Sequence, residues 1–348
     1  MQTSRRASDW KRFDGIAIEE ARDRLAGVVR RTPLVPIELE AGPDRPIELR
    51  AKLENRQETG SFKARGAWNQ VSQLDAASRR AGVVCPSSGN HGKALAWAAQ
   101  RAGVPATIVM PANAYPNKIE ACRGFGAQVV LAPTREGADE ACARLVAEGW
   151  TLVHPYDAER TIQGAGTVGL EIAEQWPEVD VVVVPVGGGG LISGVSLALR
   201  QALGERVRIV GAEPRGAASL TRALEAGRPV VLPSIESRVQ GLTPLYSGQR
   251  NVDICRAAVD AVVLFEDDVA FAAQKRIVAL GEVGEPAGAA AAGLVFAGLL
   301  PAEILGAGAD GHPLRVAVVV SGGNPDPAQL ASVQAEIARD RAAPVIRR

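Results

Sequence analysis

A lysine follows a phenylalanine in the segment ETGSFKARGAWN, residues 58–69, where the pattern predicts the start of a helix. Lysine is scarce in this chain, with six copies against 33 arginines. Because the helix dipole disfavours a cation at this end, Lys63 suits a position where its amine is neutral. An amine with a lowered pKa beside an apolar wall such as Phe62 forms imines with carbonyl compounds. Lys63 is therefore a candidate nucleophile, although a lone lysine is more often a solvated surface charge.

Four consecutive glycines, Gly187, Gly188, Gly189 and Gly190, follow the apolar run VVVVPV. Each glycine loses more backbone freedom on folding than any other residue, so four in succession need a physical reason. A strand-to-helix turn without side chains exposes N–H groups at the positive end of the helix dipole, where phosphates bind. A tight turn alone needs only one or two glycines. The loop is therefore predicted to hold a phosphate.

Two further segments place polar groups at a predicted helix start and a strand end. SSGNHG, residues 87–92, offers Ser87, Ser88 and Asn90, whereas an N-cap requires only one such residue, so we predict a carboxylate-binding loop. Ser321 follows the apolar strand LRVAVVV, where its hydroxyl either contacts a ligand or only forms a turn. Together with Lys63 and the glycines, these groups indicate pyridoxal 5'-phosphate (PLP) and a small amino-acid substrate.

A competing motif lies at residues 164–169, where GAGTVG matches the dinucleotide-binding pattern G-x-G-x-x-G. That pattern requires a buried strand before its first glycine, and the preceding HPYDAERTIQ is polar. We interpret these glycines as close packing at the start of a helix. A nicotinamide-dependent dehydrogenase is accordingly a distant alternative.

The elements that must position these groups are short apolar runs alternating with helical patterns. GVVCP, residues 82–86, precedes a helical pattern that places Ala94, Leu95, Ala98 and Ala99 on one face. The runs are continuously apolar, which indicates strands buried on both faces and hence parallel sheets covered by helices. Ligands bind beyond the carboxyl ends of such strands.

The composition excludes several classes of function. Lysine plus arginine and aspartate plus glutamate number 39 each among 348 residues, so no bulk charge draws the chain to nucleic acid or to an anionic membrane. The N-terminus lacks the apolar stretch of a signal peptide, no run reaches the length of a membrane span, and a cytoplasmic location is expected. Three scattered histidines and four cysteines, none at the spacing of metal ligands, make a zinc site unexpected.

These motifs resemble PLP enzymes of the tryptophan-synthase-β fold type (fold type II), specifically the serine/threonine dehydratase (threonine ammonia-lyase) and serine racemase branch. The similarity runs, in the family's order, through TPL at 32–34, GSFKARGA, SSGNHGKALA, HPYD, QGAGTVGLEI, VPVGGGGLISG, GAEP, EPAGA and SGGN. It implies an α/β fold with two lobes of parallel twisted sheets covered by helices, and a homodimer.

The resemblance also implies a division of the chain. Residues 1–80 and 158–348 would form a large PLP-binding lobe, and residues 81–157 a small mobile lobe that carries the SSGNH loop. After SGGN only residues 325–348 remain, too few for the regulatory domain of biosynthetic threonine dehydratases. No C-terminal regulatory domain is therefore expected.

Cofactor contacts carried over from the family fall on the motifs above. Lys63 would hold PLP as an imine, and Phe62 would pack against its ring. Asn90 would bind the phenolic oxygen, and Gly187 to Gly190 the phosphate. Ser321 would face the pyridine nitrogen; a serine does not protonate that nitrogen as an aspartate would, which favours loss of a β-leaving group over transamination.

Substrate contacts implied by the resemblance lie on one loop. Ser87, Ser88, Asn90 and His91 would grip the substrate carboxylate. The reaction implied is α,β-elimination of a β-hydroxy amino acid such as L-threonine or L-serine to a 2-oxo acid and ammonia. Ser88 also stands where racemases keep an acid/base on the face opposite the lysine, so an amino-acid racemase is an alternative.

Departures from the family pattern bear on the substrate and on metal binding. Lys93 stands where relatives commonly have glutamine. Its added charge would suit a second substrate carboxylate, as in 3-hydroxyaspartate, although a lysine at such a position is more often simply solvated. Relatives with a structural divalent cation usually carry an acidic residue six positions after the glutamate of the GAEP-like motif. Here Glu213 is present but position 219 is serine, so no metal site is predicted.

A non-enzymatic alternative is a PLP-binding protein that has kept the fold and lost turnover. The presence of Lys63 argues against it, because a protein that only binds PLP would not need the imine.

Overall fold

Helices and strands alternate along the parts of the chain that the computed structural model describes, residues 9–39, 46–306 and 311–342. The strands are β1 Leu34–Ile37, β2 Ile47–Leu53, β3 Val83–Pro86, β4 Ala106–Pro111, β5 Gln128–Ala132, β6 Thr151–Leu152, β7 Val181–Pro185, β8 Arg208–Pro214, β9 Ala261–Phe265 and β10 Leu314–Val320. The α-helices are α1 Ile18–Leu25, α2 Lys63–Val71, α3 Ala76–Ala81, α4 Asn90–Ala102, α5 Pro116–Gly124, α6 Arg135–Ala147, α7 Glu159–Gln175, α8 Gly190–Leu203, α9 Ser219–Ala226, α10 Gln249–Ala258, α11 Asp267–Ala279, α12 Pro286–Phe296, α13 Ala302–Leu305 and α14 Pro327–Ala342. Among these helices, none is long and apolar enough to cross a membrane.

Six strands form the larger sheet, in the order β1-β2-β10-β7-β8-β9. The β7 segment VVVVP is buried throughout, and β10 is buried at all but one position, as the continuous apolar runs predict. All neighbouring strands are parallel except β1 and β2, which run antiparallel. The predicted parallel arrangement is therefore confirmed for every pair of this sheet except the one at this edge, where β1 has one neighbour and is only partly buried.

Four parallel strands form the smaller sheet, in the order β5-β4-β3-β6. Helix α4 covers it with the predicted apolar face, whose residues Ala94, Leu95, Ala98 and Ala99 are buried. The two sheets confirm the α/β fold class. All strands of the smaller sheet fall within residues 81–157, although the lobe boundaries themselves stay a prediction.

The GAGTVG motif lies inside α7, where it packs against α1, α2 and α8. A Cβ atom at Gly164 would come within 2.7 Å of the Arg65 carbonyl oxygen in α2. One at Gly169 would come within 2.7 Å of the Val195 carbonyl oxygen in α8. The glycines therefore serve close helix packing, as interpreted from the sequence, but they lie beyond the first turn of a helix that begins at Glu159.

Replacing Gly169 by alanine tests this packing role. Because the added methyl group meets the backbone of α8, Gly169→Ala is expected to lower the free energy of unfolding by about 1–3 kcal/mol. Gly124→Ala is the matched control, since a Cβ atom there meets no atom within 4 Å. Urea unfolding followed by circular dichroism measures both, and equal effects of the two substitutions would contradict the packing assignment.

Candidate active site

Backbone contacts hold the SFK segment against the SGGN loop. Ser61 pairs with Gly322 in an isolated β-bridge, and the Phe62 N–H donates to the Ser321 carbonyl oxygen at 3.1 Å. Helix α2 then begins at Lys63, as the sequence predicts. Lys63, Phe62 and Ser321, which the sequence analysis assigned to one cofactor site, are thus brought together although they are far apart in the chain.

The Lys63 amine lies in an apolar setting with one backbone acceptor. Its Nζ donates to the Pro155 carbonyl oxygen at 2.6 Å and lies 4.9 Å from the centroid of the Phe62 ring. Burial lowers the pKa of Lys63 from 10.5 to about 8. A substantial fraction of the amine is therefore neutral near physiological pH, which is the state required of a nucleophile or a base.

A buried charge network fixes the helix that carries Lys63. Arg65, on the first turn of α2, donates to both carboxylate oxygens of Glu54 at 2.8 Å and to Glu171 at 2.7 and 3.0 Å. Lys52 of β2 donates to Glu171 at 2.6 Å. Since Glu171 belongs to α7, the network ties α2 to the larger sheet and to α7. None of the sequence motifs indicated this network.

The two residues that flank Pro155 add an imidazole and a phenol. His154 Nδ1 accepts from the Asp157 N–H at 2.8 Å, and burial, assisted by the charge of Lys63, lowers the pKa of His154 to about 4. The Tyr156 ring meets the His154 ring edge-on, with centroids 4.7 Å apart. A neutral imidazole and a neutral phenol therefore lie beside the lysine. The HPYD segment is part of the family resemblance, but no role was predicted for its residues.

The glycine loop joins β7 to α8, and Tyr156 packs directly against it. Gly189 is the N-cap with φ +90°, a conformation that favours glycine, and no side chain caps the helix. A Cβ atom at Gly188 would lie 2.3 Å from the Tyr156 ring, and one at Gly190 would lie 2.7 Å from its carbonyl oxygen. Tyr156 therefore lies so close to Gly188 and Gly190 that neither position can carry a side chain.

This loop has the donors that a phosphate requires. The first N–H groups of α8 have no partner within the helix, and the dipole of a helix of this length favours an anion there. Asn251 supports the loop, because its Nδ2 donates to the carbonyl oxygens of Gly188 at 2.9 Å and Tyr156 at 3.1 Å. Its Oδ1 is buried without a hydrogen-bond partner among the described residues. The residues present therefore fit the phosphate of PLP, with Lys63 supplying the amine.

The SSGNH loop begins α4. Ser87 Oγ accepts from the N–H groups of Gly89 and Gly92, each at 3.3 Å, so it supports the helix start. Ser88 is half-buried. His91 is buried, with its Nε2 2.7 Å from the Val153 carbonyl oxygen, and burial lowers its pKa to about 3. Contacts of Ser87, Ser88 and His91 with a substrate carboxylate stay predictions.

Asn90 connects α4 to two loops of the larger sheet. Its Nδ2 donates to Glu285 Oε1 at 2.5 Å, and its Oδ1 accepts from Asn324 Nδ2 at 2.8 Å. Lys93 and Lys118 donate to the side-chain and backbone oxygens of Asn324 at 2.7 and 2.5 Å. Glu285 is the N-cap residue of α12, and burial raises its pKa. Glu285 and Asn324 lie in the EPAGA and SGGN motifs, yet no role was predicted for either.

The residues around Glu213 do not fit a divalent cation. Glu213 is fully buried, and its carboxylate accepts from the N–H groups of Leu220 and Thr221 at 2.6 and 3.0 Å and from the Thr221 hydroxyl at 2.6 Å. Ser219 lies 3.2 Å from the Ser247 hydroxyl. Glu213 therefore binds the first turn of α9, and neutral hydroxyls stand where a second carboxylate ligand would be required.

Comparison with known proteins identifies the family of this chain. Residues 25–323 match the family described as "Pyridoxal-phosphate dependent enzyme". The chain is 39% identical to a phenylserine dehydratase of Ralstonia pickettii, covering 90% of this chain and 94% of the relative. It is 36% identical to a serine racemase of Oryza sativa, covering 89% and 90%. The structure of a processed threonine deaminase of Solanum lycopersicum aligns with a TM-score of 0.85 and 31% identity, covering 97% and 96%.

The chain belongs to the pyridoxal-phosphate-dependent enzyme family, and its fold is that of the tryptophan-synthase-β type. Its cofactor is therefore PLP. The nicotinamide-dependent alternative is wrong, because the motif on which it depended lies inside α7.

The lowered pKa of Lys63 can be measured in the cofactor-free protein. Since only the neutral amine reacts, acetylation of Lys63 is expected to rise with pH through a midpoint near 8. Lys275 is the control, because its hydrogen bonds to Asp340 and Glu336 raise its pKa above 10.5. Peptide mass spectrometry after limited acetylation reports both sites. Coincident midpoints for the two lysines would contradict the assignment.

The geometry at Glu213 predicts that activity is independent of divalent cations. Incubation with EDTA is expected to leave the rate of turnover unchanged, because the carboxylate is already held by α9. A metal-dependent threonine or serine dehydratase assayed in parallel shows that the chelator is effective. A large loss of activity restored by Mg²⁺ would show that the ligand set was misjudged.

Proposed function

We propose that this enzyme catalyses α,β-elimination of a β-hydroxy amino acid such as L-threonine or L-serine, releasing a 2-oxo acid and ammonia. The observation that carries the proposal is the Lys63 amine, whose pKa is about 8 and which the Pro155 carbonyl holds beside Phe62. An amine of this kind can both link to a carbonyl and, as a base, remove a proton from the substrate α-carbon.

Each remaining group has a role in this reaction. PLP, when bound, supplies the electron sink for the negative charge that develops at the α-carbon. Gly187 to Gly190 would hold its phosphate, and Ser321 would give the ring nitrogen a neutral partner. Ser87, Ser88 and the neighbouring Asn90 would orient the substrate carboxylate. Overall, the α-proton that Lys63 would remove and the β-hydroxyl would leave as one molecule of water, and the released enamine would take up one molecule of water to give the 2-oxo acid and ammonia.

The names of the relatives support a β-hydroxy amino acid as substrate. Three relatives are named for phenylserine, threonine and serine, each of which carries a hydroxyl on the β-carbon. Racemisation is the second candidate, favoured by the similarity to a serine racemase and by the presence of Ser88. A 3-hydroxyaspartate-type dehydratase is a further alternative, because the half-buried Lys93 lies beside Asn90 through their shared partner Asn324.

We also propose that residues 81–157 close over the substrate as a small lobe. Lys93 and Lys118, on helices that flank the smaller sheet, bind Asn324 beyond the end of β10 in the larger sheet. These are the contacts that opening of the cleft would break. A homodimer in the cytoplasm remains our expectation for the assembled enzyme.

Lys63→Ala tests the proposed function directly. Wild-type protein incubated with L-threonine or L-serine is expected to release a 2-oxo acid, measured with lactate dehydrogenase or by hydrazone formation. Lys63→Ala should lose both turnover and the visible absorbance of the bound cofactor, whereas the surface variant Lys275→Ala should retain both. Turnover by Lys63→Ala at the wild-type rate would overturn the assignment.

Ser88→Ala separates elimination from racemisation within the same experiment. Elimination needs a base on the lysine face alone, so 2-oxo acid release is expected to persist. Racemisation needs a proton donor on the opposite face, so any D-serine seen by chiral chromatography with wild type should disappear. Loss of 2-oxo acid release in a folded Ser88→Ala protein would contradict both the face assignment and the role of Ser88.

A further inference from the structure

One ring nitrogen of His154 receives two backbone N–H groups from the residues that follow it. His154 Nδ1 accepts from the Asp157 N–H at 2.8 Å and from the Tyr156 N–H at 3.3 Å. The side chain thereby closes residues 154–157 into a turn, which we call the histidine turn. Aspartate and asparagine commonly close turns in this way. A histidine can do so only while its Nδ1 carries no proton.

The surroundings of the histidine turn keep this nitrogen unprotonated. Burial, assisted by the charge of Lys63, lowers the pKa of His154 to about 4. A second histidine, His91, holds the residue before the turn, since its Nε2 lies 2.7 Å from the Val153 carbonyl oxygen. Burial, assisted by Lys63 and His154, lowers the pKa of His91 to about 3. Two neutral imidazoles therefore bind consecutive parts of one segment, each through a different ring nitrogen.

The histidine turn sets the direction of the carbonyl group that holds Lys63. The Pro155 C=O and the Tyr156 N–H belong to one peptide unit, which is planar and trans. Its N–H donates to His154 Nδ1, and its oxygen accepts from Lys63 Nζ at 2.6 Å. Because the N–H and C=O of a trans peptide point in opposite directions, holding the N–H on His154 aims the oxygen at Lys63.

The same turn supports the glycine loop through Tyr156. The Tyr156 ring meets the His154 ring edge-on, with centroids 4.7 Å apart, and packs on Gly188. The Tyr156 carbonyl oxygen accepts from Asn251 Nδ2 at 3.1 Å, and the same amide donates to the Gly188 carbonyl oxygen at 2.9 Å. Both the ring and the backbone of Tyr156 thus reach the loop from a residue whose N–H is bound by His154.

The last residue of the turn is joined to the helix that carries Asn251. The Asp157 carboxylate packs against Gly248, the N-cap residue of α10, and accepts from the Arg250 N–H. Asn251 is the next residue of this helix. Since the Asp157 N–H is held at 2.8 Å by His154, the position of α10 is also linked to the imidazole.

We propose that His154 is a positioning residue whose Nδ1 acceptor sets the distance between the Lys63 amine and the glycine loop. The inference rests on the proposed function, because it takes these two groups as the sites that bind the aldehyde carbon and the phosphate of PLP. A ligand held at both ends requires the two sites at a fixed separation. His154 supplies this through Pro155 and Tyr156 without contacting the cofactor itself.

Substitutions that keep or remove the acceptor test the proposal on cofactor-free protein titrated with PLP. Asparagine places its oxygen where His154 has Nδ1, whereas glutamine fills similar space with its oxygen near the position of Nε2. His154→Asn is therefore expected to bind PLP with nearly the wild-type Kd, measured by visible absorbance. His154→Gln and His154→Ala should raise the Kd by about tenfold, the scale of one or two lost hydrogen bonds. An Asn variant as weak as the Ala variant, or a Gln variant as tight as wild type, would overturn the proposal.

Amide hydrogen exchange of the cofactor-free proteins tests the turn independently of PLP and of the reaction. The N–H groups of Tyr156 and Asp157 should exchange faster in His154→Gln than in wild type and in His154→Asn. Peptides from β7 and the urea midpoint should not change, which shows that the fold is intact. Unchanged exchange, or faster exchange with an unchanged Kd for PLP, would overturn the positioning role. The expected exchange and Kd in an enzyme that releases no 2-oxo acid would refute the proposed reaction alone.

Discussion

The geometry of the active site depends on a guanidinium group that is fully removed from water. Arg65 is buried between Glu54 and Glu171, and Lys52 completes the charge balance from β2. Removing one partner of such a buried pair costs about 3–5 kcal/mol, because the other charge is left uncompensated. Since Arg65 follows Lys63 on the same turn of α2, the pairing fixes the position of the amine. The network therefore ties the larger sheet, α7 and α2 to one another.

Close backbone contact is the second constraint, and it acts at two places: in α7 and in the glycine loop after β7. In α7 the glycines let α2 and α8 approach until main-chain atoms touch. In the loop after β7 the glycines admit the Tyr156 segment, whose preceding carbonyl at Pro155 holds Lys63. The glycines of α7 thus serve packing, and those of the loop after β7 serve packing and, in the proposed function, would also bind the phosphate. This glycine loop and Lys63 are linked through the short segment at residues 154–156.

The sequence predicts the parts of this molecule that depend on local pattern. Continuous apolar runs such as VVVVP predict buried parallel strands, and SFK predicts a helix that begins at Lys63. The antiparallel edge strand β1 was missed, since apolar content does not encode strand direction. The acceptor at Pro155 is a backbone carbonyl, which every residue type possesses. Glu54 and Glu171 look like surface charges in the sequence, and only the fold brings them to Arg65.

The position of β10 in the larger sheet limits the order in which the chain can fold during synthesis. β10 lies between β2 and β7 and pairs with both, although it is the last of the described strands to leave the ribosome. The smaller sheet, complete by Leu152, can form early during synthesis. Until residues 314–320 emerge, β1 and β2 cannot join β7, β8 and β9 in one sheet. During that time the apolar edges of β2 and β7 are unpaired. Unpaired apolar strand edges favour aggregation, so the chain is most exposed to aggregation before residues 314–320 have emerged.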